Sequence, residues 1–110
     1  MTDLKPFFDG IAEAACDAVE FEAGETALHS FEFKIGDTRY IEGTIECTSD
    51  WSEEHLDEYG YEFEAIARGC QASVIDIECC GFECDTEELT ALVQHIDSEL
   101  TTFVRTNYPD

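Results

Sequence analysis

Cysteine is the residue type here with the most specific potential chemistry, because thiolates are good zinc ligands. Cys79, Cys80 and Cys84 lie close together in the sequence, and a fold that pairs their strands would bring Cys47 and Cys70 near. No C-x-x-C pair is present, and strand alternation directs Cys79 into the core and Cys80 outward. We therefore expect free cysteines that pack as small apolar side chains, with no disulfide, and leave open a zinc site at Cys79, Cys80 and Cys84.

A run of carboxylates at Asp50, Glu53, Glu54 and Asp57 is the second candidate, because calcium prefers oxygen ligands. The spacing lacks the D-x-[DN]-x-[DN]-G order of a calcium-binding loop. We therefore expect no metal ion and no cofactor.

Nucleophilic catalysis requires a base placed beside the nucleophile. The three histidines, His29, His55 and His95, are far apart in sequence and have no ligand-like or triad-like spacing. The sequence also contains no glycine-rich phosphate loop and no G-x-S-x-G motif. We therefore predict that the protein is not an enzyme.

The charge balance excludes two classes of ligand. The chain has 27 acidic residues against five Lys and Arg residues, which gives a formal net charge of −22. Direct binding of nucleic acid requires clustered cations, and anionic membranes attract polybasic segments, so we expect neither ligand. The composition is 44% hydrophobic and 12% aromatic, in periodic patterns, which predicts a folded chain rather than a disordered acidic tail.

The length of 110 residues predicts a single domain, residues 1–110, with one core. Asp9 and Glu13 interrupt the apolar residues near the N-terminus, so no core of signal-peptide length is present. No segment has the ~20 consecutive apolar residues of a membrane span. We therefore expect a cytoplasmic protein.

The clearest structural signal is a β-hairpin over residues 27–47, where two alternating runs flank Gly36 and Asp37. A two-residue turn would place Phe33 beside Tyr40. We predict instead a three-residue loop over residues 36–38, which pairs Phe33 with Ile41. This register also places Glu32 opposite Glu42, although like charges directly opposite each other destabilise a sheet.

The other elements follow from periodicity. We predict a helix over residues 3–22 capped by Asp3, an acidic connection over 48–58, and two further strands over 61–67 and 73–79 around a turn at Gly69. A second helix begins after Asp85. The predicted fold class is α+β, a four-stranded antiparallel meander with both helices packed on one face. Alternation directs these residues towards the helices: Phe31, Phe33, Ile41, Ile45, Phe63, Ser73, Ile75, Ile77 and Cys79.

The opposite sheet face is the candidate partner-binding surface. It combines carboxylates with apolar groups such as Leu28, Ile66 and Val74, and a surface of that kind can bind a partner or a second copy. Trp51, the single Trp, either packs at the core edge or anchors a partner. The candidate partner-binding residues are Glu32, Glu42, Glu46, Glu62, Glu64, Asp76, Glu78, Tyr40 and Trp51.

In size, acidity and lack of enzyme motifs, the chain resembles small phage-encoded counter-defence proteins, including anti-CRISPR and anti-restriction nucleic-acid mimics. The resemblance is one of composition and implies no residue roles. It implies an inhibitor in the host cytoplasm that binds a basic nucleic-acid-binding protein of the host. The alternatives are an oligomeric structural or assembly protein, for which a homodimer is left open, and a halophilic acidic protein.

Overall fold

The computed structural model describes residues 4–55 and 63–108, and at 51–55 and 63–67 it describes the backbone alone. The elements follow the order α1 (Phe8–Asp17), β1 (Thr26–Lys34), β2 (Tyr40–His55), β3 (Phe63–Cys80) and α2 (Thr86–Asn107). A 3-10 turn over Lys5–Phe7 precedes α1. The three strands form one antiparallel sheet in the order β1-β2-β3. The predicted α+β class is confirmed.

The predicted hairpin register is confirmed. Phe33 pairs with Ile41, Phe31 with Gly43 and Glu32 with Glu42. Because side chains alternate between the two sides of a strand, this register places the aromatic residues of β1 on one face and its carboxylate on the other. Phe31 and Ile41 are buried, whereas Glu32 and Glu42 are exposed.

Both helices contribute to a single core against one face of the sheet. In α2 the buried positions are four residues apart, the spacing that keeps them on one side of a helix. The N-terminal segment is held to the second helix, because the backbone N–H of Leu4 donates to Glu88 Oε1. The buried core consists of Leu4, Ile11, Ala12, Ala15, Phe31, Ile41, Ile45, Cys47, Leu92, Ile96, Leu100 and Val104. Phe8, Phe33, Ile77 and Cys79 pack against it.

The first helix is shorter than predicted: it ends at Asp17 rather than at residue 22. Side chains from the sheet bind carbonyl oxygens of the segment that follows the helix. His29 Nε2 donates to the carbonyl oxygen of Glu20 at 3.0 Å, and Ser49 Oγ donates to that of Glu22 at 2.8 Å. These contacts hold residues 20–22 against the sheet in a non-helical segment. The predicted cap at Asp3 lies outside the described residues.

The four-stranded meander is not confirmed, because the described residues form three strands. The two runs predicted as separate strands are parts of one strand, β3, and Gly69 lies inside it. Gly69 has a positive φ of 60° at a register shift opposite Ser49, which is the geometry of a β-bulge. Positive φ in glycine marks bulges as well as turns, so the sequence signal was ambiguous.

The acidic connection predicted over residues 48–58 was wrong for residues 48–55, which continue β2 and pair with β3. Residues 56–58 lie outside the described residues. Asp, Glu and Ser are poor strand residues, but ladder pairing with a partner strand overrides that preference. The paired segments extend beyond the end of β1 and elongate the molecule to 63 × 21 × 17 Å. Its radius of gyration is 17.0 Å, against ~13 Å for a compact domain of this length.

A second bulge reverses part of the predicted alternation in β3. The register shifts between Thr44 and Ile45, so two consecutive residues of β3, Ile75 and Asp76, are exposed. Val74, predicted to point outward, packs against the core, while Ser73 and Ile75, predicted to point inward, are exposed. The backbone N–H of Val74 donates to Asp97 Oδ1 of α2 at 2.8 Å. This contact stabilises the bulge from outside the sheet.

Candidate partner-binding surface

We use the term outer face for the sheet side opposite the two helices. Two adjacent pairings define its central feature: Glu32 of β1 lies opposite Glu42 of β2, and Glu42 lies opposite Glu78 of β3. All three side chains are exposed. Neighbouring strands lie ~4.8 Å apart, so the three carboxylates form a short line across the sheet. We call Glu32, Glu42 and Glu78 the acidic row.

The neighbouring positions on the outer face are mostly polar. On one side of the acidic row, Lys34 pairs with Tyr40, and Tyr40 pairs with Cys80. On the other side, Ser30 pairs with Thr44, and Thr44 pairs with Asp76. Lys34 is therefore a cation one position beyond the acidic row on the edge strand. Negative charge is therefore concentrated along Glu32, Glu42 and Glu78 and continues to Asp76.

The phenol of Tyr40 experiences this negative potential. Its pKa is raised above 10.0, first by a hydrogen bond with Cys80, next by the negative charge of Cys80 in its thiolate form, and then by burial. The carboxylates of Glu42 and Glu32 raise it further. The Cys80 thiol in turn donates towards Glu42 Oε2, with an Sγ to Oε2 distance of 3.9 Å. Tyr40, Cys80 and the acidic row therefore form one connected electrostatic unit.

Cys80 was not among the predicted partner-binding residues, although strand alternation predicted that its side chain points outward. One ligand atom each from Glu42, Glu78 and Cys80 lies within 4.8 Å of the others. Carboxylate and thiolate together are a donor set that zinc accepts. Exposed acidic groups commonly lie this close without an ion, so proximity alone does not define a metal site.

The remaining predicted binding residues are distributed along the outer face and beyond it. Asp76 lies beside the acidic row, and Glu46 lies further along the sheet, between Leu28 and Ser73. The structure therefore groups Glu32, Glu42, Glu78 and Asp76 with Tyr40, and separates Glu46 from them. In the long extension, Glu64 pairs with Glu54 and Trp51 with Ala67 through the backbone. The side chains of Trp51 and Glu64, and all of Glu62, lie outside the described residues.

The cysteines proposed as zinc ligands do not converge on one point. Cys79 and Cys84 pack against the core and contact each other, whereas Cys80 lies on the outer face. Burial, followed by the hydrogen bond with Cys79, raises the pKa of the Cys84 thiol to about 12. Burial also raises the pKa of the Cys47 thiol. None of the six cysteines is in a disulfide, and the raised pKa of Cys84 keeps that thiol neutral at ordinary pH.

The two histidines whose side chains are described serve different parts of the fold. His29 donates to a backbone carbonyl near the end of α1, as described above. His95 Nε2 lies 3.0 Å from Asp9 Oδ1, and its ring lies 5.6 Å from that of Phe8. This second contact joins α1 to α2. Both histidines therefore make contacts that connect parts of the fold.

A cleft lies between β3 and the last turns of α2. Its lining combines hydroxyl, thiol, amide and carboxylate side chains with a guanidinium group, including Glu46, Cys70, Gln71, Thr101 and Arg105. No histidine is among its lining residues. The cleft is thus polar, and the acidic row lies outside it.

Comparison with protein-family models, with curated proteins and with solved structures found no match for this chain. Among the residues that the structure describes, no helix combines the length and hydropathy needed to cross a lipid bilayer.

Proposed function

We propose that this protein is a non-enzymatic nucleic-acid mimic whose outer face occupies the basic groove of a nucleic-acid-binding protein and inhibits it. The observation that carries the proposal is the acidic row. Three exposed glutamates on three adjacent strands are in direct register, an arrangement that destabilises the isolated sheet. Sequences tend to keep such locally unfavourable arrangements where function requires them.

The shape and charge of the molecule support the proposal. A net charge of −22 on a molecule 63 Å long corresponds to roughly one negative charge for every 3 Å of its long axis. One DNA strand carries a charge per ~3.4 Å, and the duplex one per ~1.7 Å. A groove that has evolved to bind phosphates would therefore meet a comparable linear charge density. The field of such a surface also speeds association with a basic partner.

The resemblance in composition to phage counter-defence proteins suggests a setting for this activity. There, the partner would be a bacterial defence enzyme that binds DNA or RNA, and both proteins would be in the host cytoplasm. Inhibition would follow from competition, because the mimic and the nucleic acid would occupy the same groove.

The experiment compares charge reversal on two faces. One variant carries Glu42→Lys with Glu78→Lys in the acidic row. The control carries Glu13→Lys with Asp17→Lys on exposed positions of α1, and has the same net charge. Each protein is immobilised, exposed to bacterial lysate and eluted with a salt gradient. The captured proteins are then identified, purified and tested for displacement of a labelled 20-base-pair DNA.

We expect reversal in the acidic row to weaken displacement at least ~10-fold, since each rim charge contact contributes up to about 1 kcal/mol. The α1 control should change it less than ~3-fold. Equal losses in both variants would indicate a response to net charge alone, as expected for a halophilic acidic surface. Unchanged displacement in both would show that the acidic row is not the binding surface.

Melting the protein at different salt concentrations distinguishes a halophilic protein from a nucleic-acid mimic. A halophilic chain should require molar salt to fold, whereas a mimic should melt cooperatively at 20 mM salt. Size-exclusion chromatography in the same buffers tests the oligomeric alternative.

A further inference from the structure

Two large apolar side chains are exposed on the sheet near the acidic row. Leu28 of β1 is 59% exposed and Ile75 of β3 is 50% exposed. We call Leu28 and Ile75 the apolar pair. Burying such side chains is favourable, so their exposure is informative when both lie on one surface.

The fold places Ile75 there through the bulge in β3. Regular alternation would have directed Ile75 towards the helices, but the register shift leaves Val74 packed against the core and Ile75 exposed. The hydrogen bond from the Val74 N–H to Asp97 fixes this arrangement from α2. The exposure of Ile75 is thus a property of the folded chain and not of a frayed strand end.

The apolar pair lies within reach of the same partner as the acidic row. Leu28 lies opposite Glu46, and it is four residues from Glu32 along β1. Four residues of strand span ~13 Å, and three residues, from Ile75 to Glu78, span ~10 Å. An ordinary protein interface buries ~800 Å² on each side and would cover both features.

We infer that the partner is a protein surface that presents apolar side chains beside its cations, and that the apolar pair is part of the binding site. The inference rests on the proposed function and narrows the partner class. A purely polyanionic surface would also bind polyamines and any lysine-rich chain, with affinity lost as salt rises. Apolar contacts retain their affinity in salt and add selectivity for a protein of complementary shape.

The negative charge of the outer face favours a cationic protein partner over a second copy of this chain. Two copies would bring together two acidic rows, each on a molecule of net charge −22. Like charges juxtaposed at an interface are unfavourable, so self-association through this face is opposed. A cationic and apolar surface satisfies both features.

The test uses two synthetic 16-residue peptides of equal positive charge, one of lysine and leucine and one of lysine and serine. Binding is measured by fluorescence anisotropy at 50 and 300 mM NaCl. The test variant is Leu28→Thr with Ile75→Thr, because threonine suits exposed strand positions. The control is Tyr108→Ser, which removes another exposed apolar side chain, at 37% exposure, from the end of α2. Leu28→Thr alone provides a second variant that leaves the bulge unchanged.

We expect the native protein to prefer the leucine peptide at 300 mM NaCl by at least ~10-fold, as burial of one such side chain would give. The double Thr variant should lose this preference, Leu28→Thr should lose part of it, and Tyr108→Ser should retain it. Equal affinity of the native protein for both peptides, or a preference that survives the double Thr variant, would overturn the inference.

The same peptides separate this inference from the proposed function. If Glu42→Lys with Glu78→Lys leaves binding of the serine peptide unchanged, the proposed function fails. If that reversal abolishes serine-peptide binding while the double Thr variant behaves as the native protein, the acidic row binds cations and the inference about the apolar pair fails.

Discussion

Replacing Glu42 with glutamine should stabilise this protein. Glu42 is the central member of the acidic row and lies opposite both Glu32 and Glu78. Its side chain is exposed, so the substitution removes a charge without creating a cavity or a buried unpaired group. The expected gain comes from the loss of two like-charge pairs.

The magnitude follows from the spacing. Side chains directly opposite each other have Cβ atoms ~5 Å apart, which places the carboxylates at ~6 Å. At that distance two unit charges in water repel by about 0.7 kcal/mol before screening by salt. With screening at 20 mM NaCl, the two pairs together amount to about 1 kcal/mol, and this falls to about 0.2 kcal/mol at 1 M NaCl. In a domain of this size, 1 kcal/mol raises the Tm by about 4–8 °C.

The assay is urea unfolding followed by circular dichroism at 20 mM, 150 mM and 1 M NaCl. Glu46→Gln is the control, because Glu46 lies on the same strand, half-buried, and opposite Leu28 and Ser73 rather than opposite a carboxylate. Glu46→Gln should raise the free energy of unfolding by less than half as much as Glu42→Gln does. Glu32→Gln and Glu78→Gln each remove one pair and should each give about half of that gain.

A double-mutant comparison provides the sharpest test. When Glu32 and Glu78 are both changed to glutamine, Glu42 has no carboxylate directly opposite. Adding Glu42→Gln to that variant should then raise the free energy of unfolding no more than Glu46→Gln does. The claim that neighbouring carboxylates destabilise the sheet would be refuted if Glu42→Gln stabilised the native protein and this variant equally, or if its effect did not depend on salt.

Two further predictions concern packing and ionisation. In Gly43→Ala, the new Cβ would overlap the ring of buried Phe31, so the free energy of unfolding should fall by about 1–3 kcal/mol. Gly36→Ala, with no atom within 4 Å, should change stability by less than about 1 kcal/mol, and an equal loss in both variants would contradict the packing argument. The Cys84 thiol has a pKa of about 12 in the folded protein against 9.0 ordinarily, so its contribution to stability is complete below pH 9 and is lost as pH rises towards 12. Cys84→Ala should flatten that decline in alkaline unfolding curves, and iodoacetamide labelling of Cys84 at pH 8 as fast in the folded as in the unfolded protein would contradict the raised pKa.

The first hairpin could be predicted from sequence because its determinants are local. The alternation around Phe31 and Phe33 and the length of the loop after Ile35 together fix the register, and the paired Glu32 and Glu42 follow from it. The second helix was predictable for a similar reason. Its apolar positions repeat every three or four residues, and the observed helix Thr86–Asn107 begins directly after Asp85.

The third strand could not be predicted in the same way. Gly69 carries the same signal in a bulge as in a turn, and the acidic residues around Asp50 have poor strand propensity. The pairing of β2 with β3 joins residues that are far apart in sequence. Only this pairing shows that β2 continues to His55 and that β3 continues through Gly69. The prediction therefore placed a turn and a connection where the protein has two long strands.

The sequence by itself determined the charge of the protein, its first hairpin, its last helix and two members of the acidic row, since these depend on composition and short-range periodicity. Tertiary structure decided that Glu78 completes the row, that Cys80 lies beside it and that Ile75 is exposed. These features depend on the register of β3 against β2 and on the contact between Val74 and Asp97, 23 residues apart. Hydrogen bonds between distant segments set such registers, and a one-residue shift transfers a side chain from the core to the surface.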